Sequence, residues 1–298
     1  MKLHICGGDG AQPDPFVLFD DGTWYLYATG NRGVQLYTAK ESDGDWTYEG
    51  LALAVDGLED FWAPSVIRLG NRYYMYVSCR KRGVFFEYLH VASSDSPRGP
   101  FGNIKRLYDR FTIDSHVVRT DAGLFLFYAE NNVNDPKKGT RIFLDRLRDP
   151  ETPENRCREI LSPTFAEEIS AHDQNGIPGD WYTLEGPFWF SADGWQYLMY
   201  SAGSFTNDTY HIGYAVAHTD EPDLLKVDFV KHTVDGRFDP LLIRNEREEG
   251  TGHNSVETVN GKRTMFYHAR DYGSEAWERT ARSVPLIAGD GILSVGDA

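Results

Sequence analysis

The sequence predicts an all-β protein, a five-bladed β-propeller built from residues 1–298 as one domain, and three observations predict it. A strand–turn–strand segment recurs five times: DPFVLFDDGTWYLYATG from Asp14, APSVIRLGNRYYMYVSC from Ala63, DSHVVRTDAGLFLFYAE from Asp114, EGPFWFSADGWQYLMYSAG from Glu185 and HNSVETVNGKRTMFYHA from His253. Each copy carries tight-turn chemistry between an apolar run and an aromatic-rich run: Asp21-Gly22, Gly70-Asn71, Asp121-Ala122-Gly123, Asp193-Gly194 and Asn260-Gly261. The copies begin about 49, 51, 71 and 68 residues apart. A period near 50 with several strands per unit marks small antiparallel sheets arranged around an axis.

The hairpins come first in each unit, and a third strand-like run follows them, at Val34 to Ala39, Tyr88 to Ser93, Arg141 to Leu147, His211 to Ala217 and Arg279 to Leu286. Fourth strands are fainter, with candidates at Leu51 to Val55 and Ile104 to Tyr108. The longer spacing around the fourth copy signals insertions. Residues 149–180 are rich in Pro, Glu and Asn without periodicity, and loops of that length are more often functional than idle. Pro163 to Ser170 is the one short helical candidate. The runs Arg279 to Ile287 and Ile292 to Val295 are expected to complete the ring.

Composition narrows the function. With 41% hydrophobic and 14% aromatic residues the chain has ample material for a core, carried by runs such as Trp24-Tyr25-Leu26-Tyr27. No stretch approaches the roughly 18 to 20 apolar residues that cross a bilayer, so no membrane partner is expected. The 45 acidic against 30 basic residues give a formal charge of −15, which repels phosphate backbones, and nucleic acid is not an expected partner. The opening MKLHICGGDG lacks the apolar run of a signal peptide, which gives a cytoplasmic expectation. Cys6, Cys79 and Cys157 are odd in number and scattered, suggesting neither a disulfide framework nor a zinc site.

The first position of the five copies reads Asp14, Ala63, Asp114, Glu185 and His253. Equivalent positions of a pseudo-symmetric ring face the same end of its axis, so Asp14, Asp114, Glu185 and His253 should converge on one mouth of the channel. Singly, each has an ordinary reading as a strand start, cap, loop or core residue. Three carboxylates gathered on one rim raise one another's pKa, a cost that suggests use. Paired carboxylates acting on a neutral substrate commonly cleave glycosidic bonds, one protonating the leaving oxygen while the other activates water or attacks the sugar. Phe61 and Trp62, just before the first position of the second copy, would bring aromatic rings to the mouth, where sugar C–H faces stack.

These segments, with Trp62-Ala63-Pro64, Ile113-Asp114, Glu185-Gly186-Pro187 and GTGHNSV, resemble glycoside hydrolase family 43 over nearly the whole chain. The resemblance implies a five-bladed propeller and an inverting mechanism, with Asp14 as general base, Glu185 as general acid, and Asp114 modulating and orienting that acid. It implies that no cofactor is required, and that His253 lies near the axis, where it would help hold a calcium or other ion through water. Members often carry a proline after the modulator. Here Ser115 stands in its place, and His116 becomes a candidate subsite residue, with Arg270 and Arg282 as weaker basic candidates. The expected partner is an oligosaccharide, and the expected activity is removal of terminal α-L-arabinofuranosyl residues from arabino- or xylo-oligosaccharides. β-Xylosidase and endo-arabinanase are alternatives on the same fold, and a noncatalytic sugar-binding propeller is a distant one.

Overall fold

The computed structural model describes residues 1–8 and 10–296. About 60% of the chain is strand and 3% helical. The hairpins form where turn chemistry demands them. Asp21-Gly22 (φ 45° and 68°), Asp193-Gly194 (52° and 79°) and Asn260-Gly261 (52° and 76°) each place two successive residues in the left-handed region. That geometry matches the twist of the flanking strands and favours Asn or Asp followed by Gly.

Each hairpin is the inner half of a sheet. The first sheet holds Phe16–Asp20, Thr23–Ala28, Val34–Ala39 and Asp45–Leu53, with His4–Cys6 added in parallel to its outer strand. The second holds Leu58–Leu69, Arg72–Lys81, Tyr88–Ser94 and Gly102–Arg106. Ile113–Thr120, Gly123–Asn132 and Lys138–Asp149 lead the third. Leu184–Ala192, Trp195–Ala202, His211–His218 and Val230–Lys231 form the next, and Glu248–Val259, Lys262–Asp271, Thr280–Gly289 and Ile292–Val295 the last. A two-stranded ribbon pairs Thr233–Val234 with Arg237–Phe238. Inner strands of successive sheets touch in chain order, and the last touches the first. The array is a closed β-propeller.

Burial explains the closure. Middle strands such as Thr23–Ala28 are buried along their whole length, and each pair of neighbouring sheets encloses its own apolar cluster. The cluster joining last sheet to first contains Leu3, Leu26, Trp46, Phe266 and Ala281. There the Phe266 ring meets Trp24 at 5.7 Å and Trp46 at 6.0 Å between centroids. The N-terminal segment seals the same seam, with the Leu3 N–H donating to the Ala281 carbonyl at 3.0 Å and the Ser283 N–H to the Met1 carbonyl at 2.8 Å.

Residues 149–180 depart from the aperiodic reading. Thr152–Pro153, Arg158–Leu161, Ile169–His172 and Asp180–Tyr182 join the third sheet, giving it seven strands. The helical candidate shrinks to a 3-10 turn at Ala166–Glu168, whose last residue, Glu168, is wholly buried. Its carboxylate accepts from the Thr164 and Phe165 N–H groups, the Tyr200 hydroxyl and the Lys231 ammonium, the partners a buried charge requires. Asp180–Tyr182 ends beside Lys138 and Gly139, so the insertion returns to the end of the sheet where the inner strand begins. Cys6, Cys79 and Cys157 are all free thiols, as their scatter predicts.

The seam gives a stability test. Phe266→Ala empties the centre of the cluster between last and first sheets and is expected to cost about 3–5 kcal/mol in urea denaturation. A loss below about 1 kcal/mol would mean that the seam is not held by this packing.

Candidate active site

Each hairpin copy is headed, within or just before its inner strand, by a residue in the left-handed region: Asp14 (φ 55°), Ala63 (45°), Asp114 (59°), Gly186 (56°) and His253 (51°). In the second to fifth sheets this residue sits in a break of the pairing register, as between Ile113↔Ala129 and His116↔Phe127. The fourth copy is thereby corrected. Its first position is Gly186 and not Glu185, and the hairpin turn then follows seven residues later in every copy, at Asp21, Gly70, Asp121, Asp193 and Asn260. Glu185 occupies the preceding position, the one held by Trp62, Ile113 and Gly252 elsewhere. A left-handed residue in contact with a neighbour explains the glycine: a Cβ on Gly186 would lie 3.2 Å from the His253 ring.

The backbone N–H of each head is buried and needs an acceptor. Four of the five heads find it fifteen residues beyond the head of a neighbouring copy. Ala63 donates to Thr29 Oγ1 (2.8 Å), Asp114 to Ser78 Oγ (3.3 Å), His253 to Ser201 Oγ (2.6 Å) and Asp14 to His268 Nδ1 (3.0 Å). Gly186 is different, because the equivalent residue is Ala129. Its N–H donates to Asp114 Oδ2 at 3.1 Å.

Asp14, Asp114, Glu185 and His253 therefore do converge. Asp114, Glu185 and His253 each bring a donor atom within 4.8 Å of the others. Asp14 joins them through His253, whose Nδ1 is 3.4 Å from its Oδ1. The Asp14 carboxylate also accepts the Thr29 hydroxyl at 2.6 Å and lies 3.5 Å from Arg279 Nη1. Glu185 accepts the Tyr210 hydroxyl at 2.6 Å.

These surroundings drive the carboxyls apart. Burial alone would raise Asp14, but His253, His268 and Arg279 outweigh it and hold the acid well below the usual carboxylate range. His268 Nδ1 lies within reach of both the Asp14 N–H and, at 3.2 Å, its carboxylate. A neutral ring nitrogen that accepts the first cannot donate to the second, and burial pushes His268 down to about 4, so His253 and Arg279 carry most of the effect. Glu185 goes the other way: burial first, then the Asp114 charge, raise it to about 7. Asp114 is raised to about 6 by burial and by Asp14, against the lowering influence of His253 and the Gly186 N–H. His253 is raised despite its burial, because Asp14, Asp114 and Glu185 surround it. One carboxylate stays ionised while another keeps its proton near neutrality, the division of labour an acid–base pair needs.

Asp114, Glu185 and His253 also have the composition of a cation site. A cation on all three would hold Glu185 ionised and remove the acid's proton, so the trio does not fit a resident ion together with acid catalysis.

The other candidates scatter. Trp62 is half-buried at Glu185's position in the repeat and packs on the cluster of the third and fourth sheets. Phe61 is wholly buried in the cluster between first and second sheets, with no surface to offer a sugar. His116 points inward, stacked on Phe188 at 4.1 Å with Nε2 3.1 Å from the Trp189 carbonyl, because two residues past the head the inner strand faces the channel. Arg270 is spent on Glu249 and on the carbonyls of Phe205 and Asn207, and Arg282 on Glu248 and Asp271. The arginine at the site is Arg279, over the Phe205 ring at 4.2 Å. Tyr210, Thr29 and His268 were also missed. The last two sit fifteen residues after a head, a recurring offset the sequence does display.

The profile of the glycosyl hydrolases family 43 matches residues 8–291, and the chain belongs to that family. It is 23% identical over 297 residues to arabinan endo-1,5-alpha-L-arabinosidase A of Aspergillus niger, covering 88% of this chain and 83% of the relative. To alpha-L-arabinofuranosidase B of Pyricularia oryzae it is 25% identical over 72% of this chain and 44% of that one. A solved thermostable family-43 glycoside hydrolase superposes with a TM-score of 0.81 at 30% identity, over 97% of this chain and 93% of that one.

Gly252 gives a test of the Tyr210–Glu185 contact. A Cβ there would fall 1.9 Å from the Tyr210 ring, so Gly252→Ala is expected to push the hydroxyl off Glu185 and lower kcat by roughly tenfold or more. Unchanged kcat in a folded variant would show that the tyrosine does not support the acid.

Proposed function

We propose that the chain cleaves α-L-arabinofuranosyl linkages with inversion, releasing terminal residues from arabino- or arabinoxylo-oligosaccharides. The observation that carries the chemistry is the opposed state of two carboxyls in one buried cluster, Glu185 raised to about 7 and Asp14 held well below the usual range. Glu185 protonates the leaving glycosidic oxygen, and Asp14 orients the attacking water and receives its proton. Asp114, between them in charge and contact, keeps the acid protonated. Inversion needs the acid and base roughly 6.5–9.5 Å apart to admit that water, which suits carboxylates carried by the first and fourth sheets. The half-buried Trp62 is the aromatic surface best suited to a sugar ring, and Arg279 the cation nearest the reacting groups.

This chemistry requires no cofactor. An axial calcium ion is proposed only as one held through water on His253, and no step passes through it. We also read the propeller as five-bladed, from the five hairpin copies and the apolar cluster between each neighbouring pair of sheets.

A second reading, internal cleavage of arabinan, is favoured by the extent of the match to the Aspergillus niger endo-arabinosidase, 88% of this chain. The test compares nitrophenol release from the α-L-arabinofuranoside and the β-D-xyloside with product sizes from linear arabinan. Arabinose release from the ends, lost by about 100-fold or more in Glu185→Gln and Asp14→Asn, is the expected result. Short oligosaccharides from arabinan would transfer the assignment to the second reading. Cleavage of the xyloside alone would overturn the sugar, and no cleavage at all would overturn the catalytic reading.

A further inference from the structure

The head-to-neighbour hydrogen bond is made by a side chain in four copies and is missing in one. Thr29, Ser78, Ser201 and His268 each stand fifteen residues past a head and accept the N–H of the head that opens the next sheet around the ring. The third copy has Ala129 at this position, wholly buried in the cluster between third and fourth sheets. No acceptor is presented to Gly186, and its N–H donates to Asp114 Oδ2 at 3.1 Å instead.

The substitution of partner falls on the sheet boundary that carries chemistry. Gly186 follows Glu185 directly, so the donor that holds Asp114 is one peptide unit away from the acid. Asp114 is in turn fixed through its own backbone, left-handed at φ 59° with its N–H on Ser78. A carboxylate held at both ends has little freedom to turn away from Glu185.

We propose that Ala129, by withholding an acceptor from the head of the fourth inner strand, hands the Gly186 N–H to Asp114 and so fixes that carboxylate beside Glu185. Ala129 is thus a positioning residue for the acid. The proposal rests on the catalytic reading above but has a readout of its own.

Ala129→Ser tests it, because a serine here reproduces the hydroxyl that Ser78 and Ser201 present at the same offset. Ala129→Gly is the control, altering the packing without adding an acceptor. In protein labelled with ¹⁵N-glycine, Asp114→Asn is expected to move the assigned Gly186 amide proton in the parent and in the Ala129→Gly background, and to leave it unmoved in the Ala129→Ser background. With substrate, Ala129→Ser is expected to lower kcat roughly tenfold with KM held within about twofold, the pattern of a misplaced acid–base group, while Ala129→Gly keeps the parental kcat. The proposal is overturned if the Ala129→Ser protein keeps parental kcat and its Gly186 amide still follows Asp114→Asn. It is equally overturned if Ala129→Gly loses as much kcat as Ala129→Ser. A parent that cleaves no glycoside would sink the catalytic reading, while the amide measurement would still decide the hydrogen bond.

Discussion

A buried N–H in the left-handed turn at the head of each hairpin copy has to find an acceptor, and in all five copies the neighbouring sheet supplies it. That requirement ties every sheet to the one before it, at the end of the channel where the carboxylates lie. The ring closes by the same device, since Asp14 donates to His268 across 254 residues of sequence. Because the head cannot turn without losing this bond, side chains at the heads are held in fixed directions. Asp14, Asp114 and His253 are three of those heads, and Glu185 precedes a fourth.

Placement by backbone has an electrostatic consequence. Carboxylates that could swing into solvent would all titrate in the ordinary range, whereas these are buried and meet one another at fixed positions. His253, surrounded by all three, lowers each of them, yet the outcome differs because the remaining neighbours differ. Asp14 has Arg279 and the Thr29 hydroxyl, and its charge is compensated. Glu185 has the Asp114 charge and a tyrosine hydroxyl, and burial wins. Neighbouring positions at the heads of two sheets thus yield a stable anion at one and a protonated acid at the other.

Much of this was legible in the residues. Hairpin turns are local, so Asp21-Gly22 and Asn260-Gly261 announced themselves, and five registered copies predicted convergence of Asp14, Asp114, Glu185 and His253. The register of the fourth copy was misread by one residue because a carboxylate looked like the natural counterpart of Asp14. The turn spacing of eight, against seven elsewhere, was the available sign that Gly186 was the head. Phe61, Arg270 and Arg282 are taken up elsewhere for a common reason: chemistry suited to a site says nothing about which way a strand faces or which partner is already taken, whereas His116 does face the channel beside the carboxylates. Arg279 and Tyr210 lie on loop and strand termini outside the copied segment, where repetition offers no guide. The 149–180 insertion was recognised by length, but its docking depends on the buried Glu168 and its donors, which are non-local.

The central claim is that Glu185 keeps its proton near neutrality while Asp14 does not. Carboxyl carbon shifts measured across pH on protein labelled at Glu and Asp, with Glu185→Gln to assign the signal, test it most directly. The account predicts that the Glu185 signal titrates at about 7, well above its ordinary value of 4.5. A midpoint at the ordinary glutamate value would contradict it.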